Sequence, residues 1–118
     1  MLNFSDILRA LTDTLILVQL ADGDSYGYQI NKSITSLSDG EFELKEATLY
    51  TSFRRLEEKQ LISSYWGDEA SGARRRYYAI TDGGRQLLDE NRQDWMRIQF
   101  LVERLMGQKK QELVKEGE

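Results

Sequence analysis

The chain of 118 residues contains no cysteine, no histidine and no proline. Without cysteine there is no disulfide and no thiolate nucleophile; without histidine there is no imidazole base, and Cys/His zinc sites are excluded. The absence of proline fits a protein built mainly of uninterrupted helices. The one continuous apolar run of note, Leu15 to Val18, is far too short for a membrane span or a signal h-region, so a cytoplasmic protein with no membrane partner is expected. A surplus of positive charge is missing too. The 16 basic and 20 acidic residues leave a net charge of −4, which argues against a general polyanion binder. The length suits one domain with a modest core.

Charge is nevertheless uneven. From Lys45 to Arg85 there are eight basic and six acidic residues, a local +2, and the remainder carries −6. Such asymmetry orients a protein on nucleic acid while keeping it soluble. At the head of the basic part lies Lys45–Gln60, KEATLYTSFRRLEEKQ. Leu49, Phe53 and Leu56 fall at i, i+4 and i+7, one apolar stripe of a helix. At about 100° per residue the opposite face collects Ala47, Tyr50, Thr51, Arg54 and Glu58, with Arg55 at its edge. A phenol, a hydroxyl and two guanidinium groups suit an object with phosphates and base edges. An ordinary amphipathic surface helix would read the same way from this stretch alone.

Before it, Phe4–Leu20 reads as one helix, with Leu8, Leu11, Leu15 and Val18 spaced 3, 4, 3 as a packing seam. Ile7, Ile16, Leu17 and Leu20 widen that stripe. Asp22-Gly23-Asp24 ends the pattern, and Asp24 or Ser25 is suited to cap a second helix over Tyr26–Leu37. There Tyr26, Ile30, Ile34 and Leu37 share a face. Ser38-Asp39-Gly40 is a turn, and Glu41–Leu44 an extended connection into the two-faced helix. Two short helices so joined form a helix-turn-helix.

After it, Leu61–Trp66 and Arg75–Ile80 are rich in β-formers and flank a polar, Gly-bounded loop at Gly67–Gly72, which predicts a β-hairpin. Helix, helix, helix, hairpin is the winged-helix order. Arg74, Arg75 and Arg76 fall where the wing returns and alternate across the strand. They suit phosphate contact, or else a solvated basic edge that discourages strand pairing. Trp66 is expected to cover the hairpin's core face. Of Tyr77 and Tyr78, one is expected in the core and the other partly exposed. Thr81 is the expected N-cap of a last helix running to about Lys110, on which Leu88, Asn91, Trp95, Ile98, Val102 and Leu105 form a heptad seam. A helix this long cannot bury both sides against so small a core, so part of it should meet a second chain. The charged tail after Gly107 is expected to fray.

The fold class is therefore mainly α with a small β-hairpin. A winged helix-turn-helix over residues 1–81 precedes a C-terminal dimerisation helix with a charged tail over 82–118. An enzyme fares badly, because no nucleophile–base pair is spaced to work. The acidic clusters at Asp22/Asp24 and Asp39/Glu41/Glu43 lack the loop length and closing Glu of a calcium site, and neither cofactor nor metal is expected.

At this point the residues carry a likeness. YGYQI (26–30), ATLYTSFRRLEEKQLISSYW (47–66) and RRRYYAITDGG (74–84) resemble the PadR family of bacterial transcriptional regulators, in particular its short, drug-responsive members. The likeness runs from Leu8 to about Leu105. It implies a homodimeric repressor bound to a pseudo-palindromic double-stranded DNA operator. DNA contacts would come from Lys45, Thr48, Tyr50, Thr51, Arg54 and Arg55 on the reading helix and from Arg74 and Arg75 on the wing. It also implies a dimer interface built from Leu8, Leu11, Leu15, Asn91, Ile98, Val102 and Leu105. In drug-responsive relatives a planar aromatic small molecule stacks on paired tryptophans at the dimer centre. Trp95 matches that position, with Leu88, Arg92, Met96, Gln99, Ile7, Ala10, Thr14 and Val18 around the same space. Ala47 and Thr51 stand where many members have Gly and Pro, and Arg92 puts a cation where an aromatic residue can sit. The alternative is a winged-helix protein-interaction module without its own operator or effector.

Overall fold

The computed structural model describes residues 1–68 and 74–108, Gln108 by its backbone alone. The expected loop tip from Glu69 and the charged tail from Lys109 lie outside the described residues. The chain forms two units, Met1–Leu88 and Asp89–Glu118. The first extends past the 81/82 boundary because Gly84 and Leu88 are buried within it.

The elements run α1 (Phe4–Arg9), α2 (Thr12–Ala21), β1 (Ser25–Tyr26), α3 (Gly27–Leu37), α4 (Glu46–Glu58), β2 (Ile62–Asp68), β3 (Arg74–Ile80) and α5 (Asp82–Glu103), followed by a π-helical turn, Arg104–Gln108. This is the expected winged-helix order, with three corrections.

The first is that Phe4–Leu20 is not one helix. The Thr12 hydroxyl donates to the Arg9 carbonyl at 2.7 Å, and Leu11 adopts a non-helical φ/ψ of −99°/7°. A local side-chain bond thus takes a carbonyl that an unbroken helix would have used. Leu8, Leu15 and Val18 consequently lie half-buried at the core margin. Ile16, Leu17 and Leu20, expected only to widen the stripe, are its buried residues.

A second correction concerns Tyr26, which is extended rather than helical. With Ser25 it forms β1, a third strand paired antiparallel to β3 in the register Ser25↔Tyr78 and Tyr26↔Tyr77. The sheet order is β1-β3-β2. Neither Asp24 nor Ser25 caps α3, because Tyr26 occupies the N-cap position and makes no side-chain cap bond. Asp24 instead accepts the Tyr65 hydroxyl at 2.6 Å. Leu37, expected on the buried face, is 78% exposed.

Trp66 supplies the third. It lies opposite Arg76 in the β2–β3 ladder and is 55% exposed rather than covered. The strand simply runs on past the core, to Asp68. Tyr78 is buried and Tyr77 half-buried, as the alternation required.

The core gathers Ile30 and Ile34 from α3, Phe42 and Leu44 from the connection, Leu49, Phe53 and Leu56 from α4, Ile62, Tyr78 and Leu88 around the α2 residues. The connection is held by two polar side chains. The Ser38 hydroxyl accepts the Phe42 N–H at 3.0 Å and lies 3.1 Å from the Phe42 carbonyl. Asn31 donates Nδ2–H to the Leu44 carbonyl at 2.8 Å and accepts the Leu44 N–H at 3.0 Å. At the start of α5 the Thr81 Oγ accepts the Gly84 N–H at 3.1 Å, the expected cap. The same hydroxyl donates to the Gln60 carbonyl at 2.8 Å. In the second unit the helix carries exposed apolar side chains: Trp95, Met96, Ile98, Phe100, Leu101, Val102, Leu105 and Met106.

Candidate nucleic-acid interface

Helix α4 has the two faces its sequence requires. Leu49, Phe53 and Leu56 are at most 3% exposed, with Ser52 between them, while Ala47, Tyr50, Thr51, Arg54 and Glu58 face solvent. Thr48 is half-buried at the boundary. Lys45 is the N-cap, exposed and unable to accept a cap bond, so the first turn of the helix has no side-chain cap. Among the described residues Arg54 makes no hydrogen bond or ion pair, which leaves its guanidinium available to an anion.

Arg55 is differently placed. Its Nε–H and NH2 donate to the two Asp13 oxygens at 2.8 and 2.6 Å, a bidentate fork between α4 and α2. NH2 also donates to the Ser52 hydroxyl at 3.2 Å. The hydrogen bond to Asp13, with that carboxylate's charge second, holds the guanidinium above its ordinary value. Most of Arg55's donor set is therefore engaged inside the domain.

Helix and wing are joined by an alternating stack. Phe53 lies face to face with Tyr78, centroids 3.9 Å apart, and Tyr50 meets the Phe53 edge at 5.5 Å. Along the wing, the Arg76 guanidinium is 5.9 Å from both the Tyr78 and Trp66 rings, and Arg74 sits 5.3 Å over Trp66. The series Tyr50–Phe53–Tyr78–Arg76–Trp66–Arg74 links α4 to the wing through neighbouring ring and guanidinium contacts. Arg76 is anchored to Glu57 at 3.2 Å and to the Ser64 hydroxyl at 2.9 Å. A cleft of about 340 Å³ between α4 and the wing is lined by Tyr50, Arg54, Glu57 and Arg76 among others.

On the opposite sheet face, Arg75 lies 4.5 Å over Tyr26, and Tyr65 stacks on Tyr77 at 5.6 Å. The expected wing residues thus divide. Arg74 shares a face with Trp66 beside α4, and Arg75 lies on the far face. Arg76, one of the three arginines suited to phosphate contact but not one of the two that the resemblance implies, shares its face with Arg74 by strict alternation, and Trp66 was not an expected contact.

The expected effector and interface residues are spread over both units. Ile7 on α1 and Ala10 at its C-cap are exposed; Leu11, Thr14 and Val18 are half-buried. Leu88 is a core residue, 2% exposed, with no surface to offer a ligand. In the second unit Trp95 is 39% exposed, Arg92, Met96 and Gln99 are exposed, and Asn91 is half-buried. Among the described residues no cluster suited to a metal occurs, and no helix is long and apolar enough to cross a membrane.

Comparison with known proteins agrees with this geometry. The Transcriptional regulator PadR-like family matches residues 16–90. An uncharacterised protein of Lysinibacillus sphaericus is 39% identical over 102 residues, 86% of this chain and 94% of that one. The transcriptional regulator YqjI of Escherichia coli is 31% identical over 91 residues; the match spans 77% of this chain but only 41% of YqjI. A transcriptional regulator structure from Clostridium thermocellum superposes with a TM-score of 0.81 at 38% identity, covering 89% of this chain and all but 1% of that one (99%). A PadR family regulator from Clostridium difficile gives 0.71 at 37% identity, covering 82% and 99%. The matched proteins of Escherichia coli, Clostridium thermocellum and Clostridium difficile are described as transcriptional regulators, as is the family, rather than as enzymes. The chain belongs to the PadR-like family of transcriptional regulators.

Proposed function

We propose that the chain is a homodimeric repressor that binds a pseudo-palindromic DNA operator and is released from it by a planar aromatic ligand. Helix α4 enters the major groove, with Lys45, Thr48, Tyr50, Thr51 and Arg54 toward bases and phosphates, and Arg74 and Arg75 meet the backbone from the wing. Arg55 positions the helix through Asp13. The observation that carries this reading is the division of α4, buried along Leu49–Phe53–Leu56 and solvent-facing along Tyr50–Arg54 with an uncommitted guanidinium.

Self-association rests on the exposed Trp95, Ile98, Val102 and Leu105, which recur at a/d spacing on a stretch that also exposes Met96, Phe100, Leu101 and Met106. The effector part follows from Trp95, a half-exposed indole within that seam. Two reading helices about one DNA turn apart, or a multiple of it, fit successive grooves, and a ligand that changes the angle between protomers removes the fit.

Selection of binding sites from random-sequence duplexes, followed by affinity measurement over a range of salt, tests the DNA reading. A symmetric selected site, bound with affinity that falls steeply with salt, is the expected result. Arg54→Ala should weaken binding about tenfold without changing the oligomeric state. No selected sequence and no salt dependence would overturn the reading.

A further inference from the structure

We infer that Trp66 is a DNA-contacting residue, whose indole packs against the deoxyribose face of one strand while Arg74 takes the adjacent phosphate. This rests on the proposed operator reading and adds a contact to it.

Trp66 is out of place for a structural residue. The residue is 55% exposed although it lies on the same sheet side as the buried Tyr78 and Ile62. Large aromatic side chains left half in water on a small domain mark contact surfaces more often than packing. The neighbours of Trp66 narrow the choice of partner. Arg74 and Arg76 flank its ring at 5.3 and 5.9 Å, so the surface is cationic as well as apolar. A DNA strand presents the complement, since anionic phosphates alternate with the apolar faces of its sugars.

The two arginines are not equivalent. Arg76 is committed to Glu57 and Ser64, and its role is to hold the stack in line with α4. Arg74 is paired only loosely among the described residues, to Asp68 at 3.7 Å with both side chains largely in water (62% and 92% exposed). A phosphate displaces so weak a partner readily. Because neighbouring ring and guanidinium contacts link Tyr50 to Arg74, Trp66 is held at a fixed offset from the reading helix. It therefore meets the backbone beside the groove that α4 occupies.

The test uses intact protein and a mixed-sequence DNA duplex of about two helical turns at low salt, where backbone contacts suffice for binding. Duplex anisotropy reports binding, and tryptophan emission with acrylamide quenching reports the indole. The expected result is an emission change and quencher protection that saturate with binding in the unmodified protein and are absent in Trp66→Phe. Trp66→Ala should lower affinity about tenfold with an unchanged salt slope, on the scale of aromatic stacking against nucleic acid. Arg74→Gln should reduce the slope by about one. Binding with no Trp66-dependent emission change, or unmodified affinity in Trp66→Ala and Trp66→Phe alike, would overturn the inference and leave the operator reading standing. Absence of duplex binding by the unmodified protein would overturn both.

Discussion

The phenol oxygen of Tyr50 stands 2.9 Å from the point at which a Cβ on Gly27 would lie, so the first residue of α3 must be bare for Tyr50 to hold its place on the reading face. The two residues come from the YGY and TLY stretches of the sequence. Gly27→Ala should therefore displace the Tyr50 ring, whose far end is free to swing, and change stability by no more than about 1 kcal/mol. Operator affinity should fall by about tenfold, as for loss of one good contact. A melting curve beside a binding isotherm separates the two, and unchanged affinity would remove Tyr50 from the reading face.

Gly84 makes the opposite kind of close approach. A Cβ there would run into the Leu61 carbonyl oxygen, a backbone atom that cannot step aside, and into Ile80. Gly84→Ala should cost about 3 kcal/mol, the upper end of overpacking, and show it in chemical denaturation. Gly83→Ala, where the nearest neighbours are at 3.7 Å or more, should be nearly neutral.

Asp13 and Arg55 should behave as one unit. With side chains 30% and 44% exposed, solvent screening limits the pair to about 0.5–1 kcal/mol of stability. Asp13→Asn and Arg55→Gln should each weaken operator binding, and the double variant should be no worse than either alone. Additive losses, or a salt slope lowered by Arg55→Gln alone, would make Arg55 a phosphate contact instead of a tether.

Two tyrosines set an alkaline limit. Burial pushes the Tyr78 phenol above its ordinary 10.0, with the Arg76 cation opposing. Tyr65 is raised by the hydrogen bond it donates to Asp24 and then by desolvation. A phenol raised in the folded state keeps its proton longer when folded, so its contribution is whole below the ordinary value and is lost as pH climbs through the raised one. The melting temperature should accordingly decline above about pH 10, and the decline should be shallower in Tyr78→Phe. An identical profile in that variant would assign the decline to other groups.

For the proposed effector site, planar aromatic compounds of neutral, anionic and cationic type should quench tryptophan emission saturably. That response should disappear in Trp95→Phe and persist in Trp66→Phe. Loss in Trp66→Phe instead would place the ligand on the wing and discard the dimer-centre site.

Most of this domain was legible because its elements obey one period each. The α4 stripe Leu49–Phe53–Leu56 and the Thr81 cap follow from spacing and side-chain chemistry alone. What escaped depends on partners distant in sequence. Ser25 and Tyr26 are too short a run to read as a strand and become one only because β3 offers a free edge. The break at Ala10–Leu11 arises from one hydroxyl competing for one carbonyl, invisible to a hydrophobic pattern that continues straight through it. Arg55 looked like its neighbour Arg54, and only Asp13, 42 residues away in the chain, distinguishes them. The shift of Trp66 from cover to contact surface turns on a strand continuing past Trp66 to Asp68.

The Asn31 clamp on Leu44 leaves one further mark on the molecule. Both main-chain groups of Leu44 are taken by that amide and both of Phe42's by the Ser38 hydroxyl, so the course of the connection into α4 is set by these two polar side chains and by the buried Phe42 and Leu44. Glu41 and Glu43, both exposed, are thereby released from any duty to the backbone. Their charge is free to drift over evolutionary time, or to be reset by an engineer, without turning the helix that follows. The acidity of this stretch can thus be changed while the direction in which α4 leaves the connection is kept.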